Sequence, residues 1–194
     1  MKSRRLYRLS RLGQGGVYYV TVFAIGGILA LYGDPFYVQV ALGVTISVIL
    51  ALSWDILART GQTSFGHSAF FGIGAYATAI LHGPLGIVGS WVVGIILSII
   101  IAILFGRALF KLRGVYFSVT TFSFSLVLPV VALVLTPVTG GAGGITPHVI
   151  AGGDRRLQLL VCMAFLIVAM ATSDYFLQVR HRTAAFLIRS HPEL

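Results

Sequence analysis

Six apolar runs follow one another almost without a break: 17–33, 36–57, 65–81, 86–105, 115–135 and 157–177. Each comes close to the ~20 residues that a helix needs to cross the hydrocarbon core of a bilayer. Asp55, His67 and Asp174 are the only acidic, basic or histidine side chains inside them. None of the runs alternates polar and apolar residues, so a closed barrel is not expected. Short connections join most of them, which makes neighbouring helices pack side by side. The predicted fold is all-α, a polytopic membrane bundle of about six transmembrane helices. Composition agrees: 57% of the residues are hydrophobic and only 10% are charged, against about 25% charged in an ordinary soluble domain. A chain of 194 residues with a mean hydropathy of +0.95 cannot bury that much apolar surface within itself in water.

The positive charges set the orientation. With the N-terminus in the cytoplasm and the runs alternating, the inner segments hold Lys2, Arg4, Arg5, Arg8, Arg11, Arg59, Arg107, Lys111, Arg113, Arg180, Arg182 and Arg189. The outer segments hold only Arg155 and Arg156. Cytoplasmic loops carry the excess of Lys and Arg, so both termini are expected inside. A five-span alternative with 65–81 re-entrant moves Arg107, Lys111 and Arg113 outside and weakens the bias. The same scattering explains the net charge of +9 without a nucleic-acid partner, which would need a clustered basic face.

Residues 1–16 read as a basic cytoplasmic tail, 17–177 as the transmembrane bundle and 178–194 as a cytoplasmic segment. The apolar run after the basic start is too long for the core of a signal peptide, and no small-residue cleavage site follows it before Asp34 and Pro35. Cys162 is the single cysteine; it is expected to act as a small buried hydrophobe.

The stretch GQTSFGHSAFFGIGAYATAIL, 61–81, is apolar yet crowded with small and polar groups. In lipid, helices associate where small residues let backbones approach. Ser68, Gly72, Ala75 and Ala79 fall at helical spacing and predict one packing face, to which Gly66 and Gly74 add. The polar groups have two readings. Gln62 and His67 either line a water-filled path, where intramembrane ionisable groups usually sit, or bond neighbouring carbonyls. Ser64 is the expected helix N-cap, with Thr60 and Thr63 as rivals.

No enzyme is expected. The chain has no phosphate-binding glycine loop of the P-loop kind. His67, His82, His148, His181 and His191 are scattered, and none pairs at the spacing of metal ligands. No catalytic residue, metal or cofactor is therefore assigned. Asp55 and Asp174 lie near the inner ends of spans two and six, either as proton-relay groups or, the commoner case, as interfacial acids next to Arg59 and Arg180. A secondary carrier would want inverted repeats and a mid-membrane acid, and neither is visible.

Three ordered motifs carry a family likeness. Gly61, Gln62, Ser64, Gly66, His67, Ala69, Phe70, Gly72, Gly74, Ala75 and Tyr76 match the pattern G-Q-x-S-x-G-H-x-A-F-x-G-x-G-A-Y. Leu112, Arg113, Gly114, Tyr116 and Phe117, with Thr121 after them, match L-R-G-x-Y-F leading into a membrane helix. Thr139 to Ile145, TGGAGGI, is similar to an outer-loop motif T-G-G-x-x-G-[IL]. Together they resemble the permease subunits of branched-chain amino acid ABC importers, closest to the M-type subunit of the pair.

The resemblance implies a permease in the bacterial inner membrane, surrounded by lipid and paired with a second permease subunit. A periplasmic substrate-binding protein would deliver the amino acid, and two cytoplasmic ATP-binding subunits would hydrolyse ATP. The tail VRHRTAAFLIRSHPEL resembles the family's ATPase-coupling segment through Ala185, Ile188, Arg189 and Pro192; read from its residues alone, it is a basic amphipathic anchor at the membrane surface. Family members continue past this segment with further spans, so a C-terminally truncated member is expected, or one completed by a second chain. A passive channel for small solutes such as urea or amides, and a non-transporting membrane fragment, are the rival functions. Phe117, Phe122 and Phe124 are read as packing residues or as the lining of an apolar path.

Overall fold

The computed structural model describes residues 20–109, 111–146 and 153–190, with side chains described to Val179 in the last helix. Among these residues every regular element is helical. Helix α1 is Val20–Tyr32, α2 is Pro35–Ala58, α3 is His67–Leu109, α4 is Val115–Val134, α5 is the single turn Thr136–Thr139, and α6 is Arg155–Ser190. A 3-10 turn, Gly141–Gly143, follows α5. Four of the helices are long and apolar enough to cross a membrane, and α1 is a shorter apolar helix. The expected all-α membrane bundle is what the chain forms.

Helix α3 is 43 residues long but is not one rod. Gly86 has φ 66° and ψ −178° inside it. That left-handed value is one only glycine adopts without strain, and it turns the chain back on itself. The arms 67–85 and 87–109 then pack antiparallel. A Cβ on Gly94 would sit 3.3 Å from the Gly74 carbonyl oxygen, 3.4 Å from Thr78 Oγ1 and 3.7 Å from Ala77 Cβ, and a Cβ on Gly74 would sit 3.7 Å from Ser98 Oγ. Two of the predicted spans thus form a hairpin. Ala77, Ser90 and Gly94 are buried in its seam. The packing face is therefore rotated from the predicted one: a Cβ on Gly72 would meet nothing within 4 Å, and Ala75 is exposed. Helical spacing alone could not choose between two small-residue faces, because both exist. Gly94→Leu is expected to splay the arms and lower the thermal midpoint of the detergent-purified chain by about 3–10 °C, the range that overpacking by ~1–3 kcal/mol produces. Gly72→Ala should shift the same midpoint by no more than about 1 °C.

The chain forms two compact units: Met1–Leu52 with Ala151–Leu194, and Ser53–Ile150. In the first, α1, the start of α2 and α6 close on Ala30, Val38, Leu42, Leu159, Met163 and Leu166, with Cys162 packed against this core as expected of a small hydrophobe. Thr45 satisfies its hydroxyl on the Ala41 carbonyl at 2.7 Å and lies 3.8 Å from the Met163 sulfur. Asp154 caps α6 by accepting the Arg156 amide at 2.9 Å. The Arg156 guanidinium donates to the Leu31 carbonyl at the end of α1, at 3.2 Å, where a cation suits the helix dipole.

The second unit holds the α3 hairpin, α4 and the glycine-rich turn after it. Much of its outward surface is apolar: Ile99, Ile103, Leu104, Val119, Phe122 and Leu126 are about half exposed. Such a surface is stable against acyl chains or another membrane helix rather than water. Asp55 and Arg59 pair at the end of α2, Arg59 Nε donating to Asp55 at 2.6 Å. This i,i+4 pair is worth about 0.3–0.5 kcal/mol.

Candidate functional site

Between α2 and α3 the chain is not helical. Residues 61–66 leave the end of α2, with Gly61 at φ 88°, and run beside α4 before α3 starts at His67. The 20 residues of α4 measure about 30 Å, which is the thickness of the hydrocarbon core. Ser125 lies about halfway along them. Main chain that is neither helix nor barrel survives at such depth only if protein groups satisfy it.

Helix α4 supplies those groups. Ser118, Thr121 and Ser125 stand at i, i+3 and i+7 and so share one face. Ser118 Oγ donates to the Thr63 carbonyl at 2.6 Å. Thr121 Oγ1 accepts the Phe65 amide at 3.1 Å. Ser125 Oγ donates to the Phe65 carbonyl at 2.7 Å and lies 3.3 Å from Ser68 Oγ. From the other side the Trp54 indole donates to the Ser64 carbonyl at 2.8 Å. Ser64 Oγ accepts the Gly66 amide at 3.1 Å. Ser64 is thus not the helix N-cap: three residues before α3 starts, it closes the turn 64–66 that precedes the helix, and the Gly66 carbonyl takes the first helical amide, that of Ala69, at 3.1 Å.

The predicted signature residues divide by what they touch. Ser64 and Gly66 are buried; a Cβ at Gly66 would lie 3.3 Å from both Cβ and O of Thr121. Thr121, from the second motif, is buried against them. His67 is half-buried, its ring makes a backbone hydrogen bond with Ser53, and its Nδ1 is enclosed without a partner. Phe70 packs on Phe124 at 5.7 Å between ring centroids, and Phe124 stacks on Phe105 at 3.9 Å. Phe124 is therefore a packing residue, joining both arms of α3 to α4. Gln62, Gly72, Gly74 and Tyr76 are half-buried. In the second motif Gly114 has φ 59° just before α4, Phe117 is half-buried, and Arg113 and Tyr116 are exposed. Ala185, Ile188 and Arg189 lie on the helical backbone of α6, which continues unbroken from the span to Ser190. Their side chains, and all of Pro192, lie outside the described residues.

The third motif forms a knot at the far end of α4. Thr139 is buried and donates its hydroxyl to the Ala132 and Leu135 carbonyls while accepting the Gly141 amide. Gly140, Gly141 and Gly144 all have positive φ.

Sequence reasoning does not single out Trp54, Ser118 or Ser125. A signal for the two serines exists: SVTTFSFS puts five hydroxyls in eight residues of an otherwise apolar run. For Trp54 there is none, because its partner is a main-chain carbonyl ten residues on.

An all-helical bundle with several long apolar helices and a hydroxyl-lined, non-helical stretch at membrane depth defines a polytopic integral membrane protein. The family described as branched-chain amino acid transport system / permease component matches residues 36–185, and the chain belongs to it. It is a multi-pass protein of the bacterial inner membrane. The high-affinity branched-chain amino acid transport system permease protein LivM of Salmonella typhimurium is 31% identical over 114 residues, covering 56% of this chain and 26% of that protein. LivM of Escherichia coli is 30% identical over 112 residues, covering 56% and 24%. The matched stretch spans about a quarter of the length of these curated relatives. No solved structure matches the chain.

Proposed function

We propose that this chain is a permease subunit of an ATP-driven importer for branched-chain or related amino acids, and that it forms part of the translocation pathway. The observation that carries this reading is the family match over 36–185, with the start of the signature, 61–66, held non-helical beside the first half of α4. In this reading ATP is hydrolysed on two separate cytoplasmic subunits. A second permease subunit completes the pathway, and a periplasmic protein delivers the substrate. Residues 17–177 are the permease bundle, 1–16 its basic cytoplasmic tail, and 178–194 the coupling segment. Gly61, Gln62, Ser64, Gly66, His67, Phe70, Gly72, Gly74 and Tyr76 shape the translocation segment. Thr121 holds it from α4, and Arg113, Gly114, Tyr116 and Phe117 shape the turn and first helical turn that lead to Thr121.

The test is purification from native membranes in mild detergent, native mass spectrometry of what accompanies the chain, and uptake of labelled leucine after reconstitution. A second permease and ATP-binding chains in one complex, with ATP-dependent uptake, support the reading. A lone 20.8 kDa chain or uptake indifferent to ATP refutes it.

Coupling is assigned to Ala185, Ile188, Arg189 and Pro192. Continuity of α6 from the span to Ser190 supports this, because a rigid helix carries a displacement at one end to the other. Replacing Ile188 and Arg189 together by alanine is expected to leave membrane levels unchanged. ATP hydrolysis should persist while uptake falls about tenfold or more, the effect of losing ~1.4 kcal/mol of coupling. Unchanged, ATP-coupled uptake would remove the assignment.

A further inference from the structure

The three α4 hydroxyls that hold the stretch 63–66 each also reach a carbonyl of their own helix. Ser118 Oγ is 3.4 Å from the Gly114 carbonyl, Thr121 Oγ1 donates to the Ser118 carbonyl at 2.9 Å, and Ser125 Oγ is 3.3 Å from the Thr121 carbonyl. Released from the stretch, each hydroxyl stays satisfied within its own helix, the back-bonding that Ser and Thr commonly adopt. The groups they hold have no such reserve: the Thr63 and Phe65 carbonyls and the Phe65 amide belong to no helix. Let go at membrane depth, those groups must meet water or lose a hydrogen bond outright. Opening the clasp would therefore cost the α4 side little, and the stretch a hydrogen bond at each group that water does not reach. Pro129 adds to this, because it cannot donate to the Ser125 carbonyl four residues back, so α4 is least constrained at the upper end of the clasp.

We propose that Trp54, Ser118 and Ser125 are positioning residues for transport, holding 63–66 non-helical against α4 in a dry state and releasing it to a water-exposed one. The Trp54 indole fixes the Ser64 carbonyl, the serines fix the carbonyls on either side of it, and the start of α3 at His67 follows from where the stretch is held. This inference rests on the permease reading for its consequence in uptake, but not for the clasp itself.

The test uses the complex as isolated, with Ser118→Ala/Ser125→Ala and the hydroxyl-retaining Ser118→Thr/Ser125→Thr. Amide hydrogen exchange of the peptide covering 61–69 reads the clasp, and leucine uptake reads the consequence. The alanine pair should speed exchange at Phe65 and Gly66 about tenfold or more. It should lower the maximal uptake rate by a similar factor with KM changed less than about threefold. The threonine pair should restore both. Trp54→Phe should speed exchange in the same peptide. Unchanged exchange in the alanine pair overturns the clasp, whatever uptake does. Faster exchange with unchanged uptake overturns the positioning role. A threonine pair as defective as the alanine pair shows that the hydroxyls are not the cause and also overturns it. If the wild-type complex takes up no amino acid, the permease reading falls, and the exchange arm still decides the clasp.

Discussion

Gly66→Leu is expected to abolish uptake and to loosen the second unit at the same time. The glycine is buried where the non-helical stretch meets α4, and a Cβ there already lies 3.3 Å from Cβ and O of Thr121 and 3.4 Å from Ser64 Oγ. Two of those three neighbours belong to the backbone and the branch point of a helix, which cannot swing aside. A leucine must push α4 away from 63–66, and the hydroxyl contacts along the stretch all lengthen together. The cost of overpacking alone is about 1–3 kcal/mol, a fall of about 3–10 °C in the thermal midpoint. Uptake should fall more than about a hundredfold, because several hydrogen bonds to one segment fail as a unit. Gly66→Ala should give a smaller loss of the same kind. A leucine variant with wild-type midpoint and uptake would mean that the stretch is not held against α4.

Gly140→Ala is expected to be the most destabilising single change in the turn after α4. Gly140 has φ 74°, a backbone that costs a residue with a side chain about 1–2 kcal/mol. A Cβ there would also run into the Gly144 carbonyl, which is main chain of the same knot. Relief requires opening the loop, and that exposes the buried Thr139 hydroxyl and the carbonyls of Ala132 and Leu135 that it satisfies. The total should reach roughly 3 kcal/mol, read as a midpoint lowered by about 6–12 °C. Gly143→Ala provides the comparison: nothing lies within 4 Å of its Cβ direction and its φ is not positive, so its midpoint should stay within about 2 °C of wild type. Equal effects at the two positions would mean that loss of glycine, rather than the knot's geometry, sets stability there.

Much of this protein is written in the order of its residues. Runs of about twenty apolar residues dictate membrane helices, because each is long enough to span and leaves its backbone satisfied internally. The glycine and hydroxyl pattern from Gly61 to Tyr76 marks the segment that proves to be irregular at its start, and the motif from Thr139 to Ile145 marks the knot. These features are local: they depend on propensity, length and turn chemistry, which neighbours in sequence determine. The tertiary structure decided what depends on partners far along the chain. It packed Gly74, where the sequence predicts a close approach, against Gly94 together with Ala77, and left Gly72 and Ala75 off the seam, since helical spacing supplies several small faces and only the partner arm selects one. It moved Ser64 from capping a helix to closing a turn. And it brought Ser118, Thr121 and Ser125, more than fifty residues on, to the carbonyls and amide of 63–66, because an unwound backbone in a dry interior takes whichever hydrogen-bonding groups the fold places within reach.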